Sequence, residues 1–336
     1  MKISSKSPCR VDLAGGTMDI WPLYLYHESP VTVNFAVDRY TSCDLVTRED
    51  PRIVLRSRDL KGGETFASLD ALVKTKKYRL PLAAWLLRFF RPGVGLELET
   101  HSEAPAGAGI SGSSSLMVTT ASALNRLTGA GYGLEKIREI CQNVEAQIIR
   151  VPTGCQDYYP AMYGGVNAIE TGPAGIVRKR IPVDLEDFNQ RIVLGYTGEP
   201  RNSGINNWEV TKAHLDGDKA VHKNFDRIAA IANALRAALE KADWNETARL
   251  LREEWTHRRK NAPGITTPLI DRLVDVTRQA GARGAKACGA GGGGCVIFLV
   301  ERGAKKRVET LIASEGAEVL DVKVAPRGVQ VRILPG

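Results

Sequence analysis

None of the six cysteines forms a C-x-x-C pair, and none has a histidine at the short spacing of a zinc site. This excludes the usual redox and zinc motifs and leaves buried thiols in a reducing compartment. The opening residues MKISSKSPCRVDLAGG lack an apolar signal core, and no run reaches the roughly 18 to 20 apolar residues of a membrane span. A cytoplasmic protein with no membrane partner is expected. Internal repeats and low-complexity tracts are missing as well. The formal charge of +8 is dispersed, with only short knots such as Lys74-Thr75-Lys76-Lys77 and His257-Arg258-Arg259-Lys260. Aromatics do not interleave with these basic residues, so a solvated basic face is expected rather than a nucleic-acid track.

What is present is ordinary for a soluble globular protein: 336 residues, 43% hydrophobic and 25% charged. That length calls for one large or two closely packed domains. Val11 to Leu13, Val31 to Val37 and Ser42 to Val46 read as short strands. Leu80 to Phe90 reads as a helix ended by Pro92-Gly93, and Val94 to Thr100 alternates as a strand. Helices are expected from Ser114 to about Leu127, stopping at Gly129, and from Leu134 to about Ile149. The strand Arg191 to Tyr196 opens a second half, which places a boundary near residue 185. Helices follow at Asp226 to Leu239, Glu246 to Lys260 and Pro268 to Gln279. A glycine cluster from Gly281 to Gly294 then feeds a strand over Cys295 to Val300, a helix near Ala304 to Ser314 and closing strands over 317–322 and 328–334, an α+β ending.

Three segments carry chemistry. PAGAGISGSSS, residues 105–115, stands between a strand and an apolar helix. Its glycines let backbone approach a ligand, and the helix N-terminus attracts anions, so a phosphate chain is the natural guest. The pattern is not Walker A, because no Lys follows the last Gly. A serine at a helix mouth can supply a hydroxyl to Mg²⁺, with a carboxylate from elsewhere. Glu145 and Asp157 are the candidates, one for metal and one to position or deprotonate an attacking hydroxyl. Taken alone, Glu145 reads as a surface helix residue and Asp157 as a turn residue.

SPCRVDLAGGTMD, PAGAGISGSSS and KACGAGGGGC, in that order, resemble the GHMP kinase superfamily of galactokinase, homoserine kinase and mevalonate kinase. The resemblance implies an α+β, two-domain fold, with a ribosomal-protein-S5-like α/β domain over residues 1–185 and a ferredoxin-like α+β domain over 186–336. It also implies ATP and Mg²⁺ as cofactors. By this likeness Pro105, Gly107, Ala108, Gly109, Ser111, Gly112, Ser113 and Ser114 cradle the ATP phosphates, Ser113 and Glu145 hold the metal, and Asp157 is catalytic with Arg10 beside it. Thr17, Asp19, Gly291 and Gly292 fall at acceptor positions. Gly112 replaces the first of the family's paired serines, and Met18 replaces the Thr that sugar-kinase relatives keep before the Asp.

VNFAVDRY and GAKACGAGGGGCVIFL are similar to the sugar-phosphate branch containing heptose 7-phosphate kinase and fucokinase-like enzymes. A polyol acceptor needs several hydrogen-bonding groups, for which Asp19, Asp38, Arg201 and Asn202 are candidates. An acceptor phosphate calls for an arginine fork, for which Arg10 and Arg201 are candidates and Lys6 and Lys286 weaker ones. Free fucose-, galactose- or uronic-acid-like sugars, a non-sugar alcohol and a non-catalytic ATP and sugar sensor remain alternatives. A monomer or a homodimer fits this reading.

Overall fold

The computed structural model describes residues 1–199 and 203–335. The chain opens with two long antiparallel strands, β1 (Lys2–Ala14) and β2 (Val31–Arg48), joined through a 3-10 turn at Leu23–Tyr26. A hairpin, β3 (Ile53–Ser57) and β4 (Gly62–Phe66), leads to α1 (Leu69–Lys74), α2 (Pro81–Phe90) and β5 (Gly95–Ser102). Then come α3 (Gly112–Thr128), α4 (Leu134–Ile149), α5 (Tyr158–Tyr163) and the pair β6 (Val166–Gly172) and β7 (Gly175–Arg180).

After α6 (Leu185–Arg191) the chain enters β8 (Ile192–Tyr196) and four helices, α7 (Ser203–Leu215), α8 (Lys219–Glu240), α9 (Trp244–Arg258) and α10 (Pro268–Gln279). It ends with β9 (Ala282–Ala287), β10 (Cys295–Val300), α11 (Lys305–Ser314), β11 (Glu318–Leu320) and β12 (Gln330–Leu334). The first sheet runs β12-β1-β2-β5-β3-β4 with β6 and β7 attached at β2, and the second runs β11-β8-β10-β9. Two α+β units result, and they are laced together. Val324 bridges Val37 and β12 returns to pair with β1, so the last residues of the chain complete the first sheet.

The strands read as three short pieces are two continuous ones. The period-2 pattern breaks because the register shifts between Pro8 and Cys9, which sets Cys9 against Val37 and Pro8 against Tyr40 and leaves Asp38 and Arg39 as a bulge on β2. α8 begins earlier than its apolar stripe, because Asp218 caps it by accepting from the Ala220 and Val221 amides. α10 starts where Thr267 accepts from the Ile270 amide ahead of Pro268. A core shared by both sheets, including Val11, Phe35, Leu194 and Ile297, fixes the first unit against the second. The cleft between them is thereby held in place.

Candidate active site

The loop after β5 carries three left-handed backbone positions, Gly107 at φ 71°, Gly109 at φ 78° and Ser111 at φ 56°. Left-handed φ at a serine is strained, and here it turns the chain sharply into α3. The first amides of α3 and its dipole therefore open toward the cleft. The Ser111 hydroxyl is buried without a hydrogen-bond partner, as a group awaiting a polar ligand would be. Two neighbours clasp the loop. The Arg10 amide donates to Ile110 O at 3.0 Å, and the Cys295 amide donates to Ala108 O at 2.7 Å. Gly294 packs so close that a Cβ there would lie 2.6 Å from Ala108 O.

Glu145, on α4, reaches the mouth of α3. Ser113 Oγ donates to its Oε1 at 2.9 Å, while Ser114 Oγ and Tyr158 OH donate to Oε2 at 3.1 and 2.5 Å. Burial pushes this carboxyl up, and the nearby charge of Asp157 adds to the rise, against the hydrogen bonds from Tyr158, Ser113 and Ser114. Those donors are neutral hydroxyls, so a cation is the partner that a carboxylate here still lacks. Ser113 Oγ and Glu145 form a hard-oxygen pair of the kind Mg²⁺ takes along with phosphate oxygens and waters. The residues fit the ion.

Across the cleft, Arg10 on β1 grips Asp157 with two donors, Nε at 2.8 Å and Nη2 at 2.6 Å, while Nη1 donates to Gly109 O at 3.0 Å. One guanidinium thus ties the carboxylate to the glycine loop. Asp19 lies beside them, buried, accepting from the Gln156 amide at 2.8 Å. Its carboxyl is pushed up to about 7, first by burial and second by the charge of Asp157. Gly154 makes room for it, since a Cβ there would sit 2.1 Å from Asp19 Oδ2.

These groups line one cleft of about 760 Å³, a volume suited to a small-molecule site. Pro105, Gly107, Ala108, Gly109, Ser111, Gly112, Ser113 and Ser114 form one wall; Arg10, Thr17, Asp19, Glu145 and Asp157 complete it. Thr17 Oγ1 donates to Asn207 Oδ1 at 3.2 Å, which brings α7 into the lining.

Other expected residues lie elsewhere. Asp38 is not brought to the cleft: it sits in the β2 bulge, where its carboxylate accepts from the Lys323 amide at 2.7 Å. Gly291 and Gly292 pack behind the cleft against Ile265, and their neighbours Gly289 and Ala290 line it instead. Arg201 and Asn202 lie outside the described residues. Lys6 stands over the Tyr40 ring, 4.9 Å from its centroid.

Lys286 is no anion reader. It is fully buried, with Nζ 2.9 Å from Asp12 Oδ1 and 3.7 Å from Glu254 Oε2. Glu254 in turn pairs with Arg258, which donates to Gly16 O at 2.9 Å and so supports the turn carrying Thr17. Asp12 and Glu254 escape the sequence reading, and Arg258, counted there in a solvated basic knot, is instead buried against Glu254. The signal that was available is a lone Lys in a Gly/Ala/Cys-rich segment, too apolar a setting for a solvated side chain.

A glycine loop at a helix mouth, a serine and glutamate for a divalent cation, and an aspartate held by an arginine define a small-molecule phosphotransferase. Residues 76–165 match the GHMP kinases N terminal domain and residues 235–317 the GHMP kinases C terminal domain, together more than half of the chain. The chain belongs to the GHMP kinase family and is an ATP-dependent kinase with an alcohol acceptor. It is 25% identical over 342 residues to a D-glycero-alpha-D-manno-heptose 7-phosphate kinase of Campylobacter jejuni, covering 98% of each chain. It is 27% identical over 368 residues to an L-fucokinase/L-fucose-1-P guanylyltransferase of Bacteroides fragilis, covering 97% of this chain and 38% of that protein. In fold it is similar to the galactokinase of Lactococcus lactis complexed with galactose, with a TM-score of 0.82 at 21% identity over 98% of this chain and 95% of that one. Among the described residues no helix is long and apolar enough to cross a membrane.

Proposed function

We propose that this kinase phosphorylates a hydroxyl, the anomeric one, of a sugar phosphate of the heptose 7-phosphate type. The observation that carries the sugar part is the trio of Asp157, Asp19 and Thr17 lining the same cleft as the glycine loop. Two carboxyls and a hydroxyl suit a polyol whose several O–H groups need partners. The phosphate part rests on the likeness to the heptose 7-phosphate kinase along the full length of both chains.

In this reading Asp157 accepts a hydrogen bond from the acceptor hydroxyl and takes up or orients its proton. Arg10 holds Asp157 in place and meets charge building on the phosphoryl oxygens, while the α3 amides bind the phosphates. Ser113 and Glu145 hold Mg²⁺, whose chemistry is to neutralise phosphate charge. Asp19, near neutrality, donates or accepts toward a second sugar hydroxyl.

A free-sugar acceptor is the second reading, and one observation favours it. Arg10 is the single basic side chain among the described residues lining the cleft, and it is engaged with Asp157. The test is ADP release with Mg-ATP across heptose 7-phosphate, other sugar phosphates and their free sugars. Turnover confined to phosphorylated acceptors is expected; turnover on free sugars alone sinks the sugar-phosphate reading, and silence throughout leaves a sensor. Asp157→Asn should retain nucleotide binding and lose about 10²- to 10⁴-fold in turnover; unchanged ADP formation removes Asp157 from the reaction.

A further inference from the structure

Away from the cleft, three of the protein's five histidines converge although the sequence separates them widely. His27 follows the 3-10 turn, His214 lies near the end of α7 and His222 in the first turns of α8. One ring nitrogen from each lies within 4.8 Å of the others. We infer that His27, His214 and His222 form a site for one divalent transition-metal ion, zinc being the best match, that pins the end of α7 to α8 and the 3-10 turn.

The proton inventory of the cluster is that of a ligand set. His27 Nδ1 meets Asp226 Oδ1 at 2.7 Å, the carboxylate partner that fixes an imidazole with its Nε2 lone pair outward. That Nε2 lies 2.7 Å from His214 Nε2, so a single shared proton joins the two rings. His214 is buried, and its Nδ1 has no hydrogen-bond partner. Whichever nitrogen of His214 carries the proton, a buried polar atom is left unsatisfied, at a cost in free energy. His222 Nε2 faces the His214 carbonyl at 2.9 Å, leaving its other nitrogen as a lone pair.

A bound cation takes the place of the one proton for which the two Nε2 atoms compete, and it also takes up the lone pair on the second nitrogen of His222. Imidazole ligands select zinc and its neighbours over magnesium, which takes oxygen. Zinc with three histidines and an open fourth position is a common arrangement, its nitrogens about 2.0 to 2.1 Å from the ion. His27 also stacks on Phe225, 5.6 Å between centroids, which limits its freedom. His222 is half-buried and Asp226 exposed, so the ion has a route from solvent. The far end of α7 carries Asn207 in the cleft wall, so a pin at His214 steadies the helix that borders the acceptor.

The test uses full-length protein freed of any affinity tag, stripped with chelator and titrated with ZnCl₂ in excess Mg²⁺, with bound zinc counted by elemental analysis. One equivalent of zinc and a rise in melting temperature are expected. His222→Ala, at the half-buried position, should abolish both while melting like the wild type in chelator; Asp226→Asn should weaken binding about 10- to 100-fold. Absence of bound zinc overturns the inference, and so does zinc uptake that His222→Ala leaves unchanged.

Discussion

Asp19 shows what a single side chain contributes here. Its carboxyl, ordinarily near 3.8, is pushed up to about 7 by burial and by the charge of Asp157. Between those values the folded protein keeps a proton that the unfolded chain has released. Stability therefore falls as pH rises from about 4 to about 7, the reverse of the usual salt-bridged aspartate. Asp19→Asn removes the titration while keeping an acceptor for the Gln156 amide. The variant should be more stable than wild type at pH 8, by on the order of 2 to 4 kcal/mol, with the gap closing toward pH 4. Urea denaturation of both proteins across that range measures it, and parallel curves would show that Asp19 is ionised throughout. The position of Asp19 was legible in SPCRVDLAGGTMD. Its proton was not, because it depends on Gly154 and Asp157 closing over it from a distant segment.

At the scale of elements, the third glycine segment acts as a backing plate for the glycine loop after β5. Gly294, at φ 78°, sets its α-carbon against Ala108 O, and the Cys295 amide bonds that same oxygen. Gly294→Ala must push the loop forward as well as bear the strain of a left-handed alanine. Gly303 separates the two effects, since it has φ 82° and a Cβ there would meet nothing within 4 Å. Gly303→Ala should lose about 1 to 2 kcal/mol of stability with an unchanged KM for ATP. Gly294→Ala should raise that KM about tenfold, a shift of about 1.4 kcal/mol. Equal KM values in the two variants would mean that the segment does not support the loop.

The same region shows why elements differ in legibility. β10 reads CVIFLV and is plain in the sequence, whereas β9 reads ARGAKA, a composition poor in strand formers. It is a strand because α9 packs onto it so closely that a Cβ on Gly284 would lie 2.7 Å from Ala248 O. Small residues are needed for that approach, and they erase the propensity signal. α3 and α4 posed no such difficulty, because glycine and proline punctuate their ends in the sequence itself.

For the molecule as a whole, the question is what couples the two sheets at the site. Asp12 on β1, Lys286 on β9, and Glu254 with Arg258 on α9 form a buried chain of alternating charge. Burial alone would raise the Asp12 carboxyl, but Lys286, Arg258 and Arg10 hold it below the usual carboxylate value. The apolar setting of Lys286 hints that it is buried, but no local pattern names its partner, since Asp12 and Lys286 are 274 residues apart. Lys286→Met would leave two buried carboxylates short of a cation, and should lower stability by about 3 to 5 kcal/mol. Adding Glu254→Gln should recover part of the loss, because groups in one network do not act additively. Arg258 also donates to Gly16 O and lies 3.4 Å from Thr17 Oγ1, so the loosened network should reach the acceptor wall and raise acceptor KM more than that for ATP. Urea denaturation and steady-state kinetics on the wild type, both single variants and the double variant measure both effects. If the losses simply add and both KM values stay fixed, the chain of charges is packing alone; if they do not, the charges that bind the two sheets together also hold the acceptor wall in position.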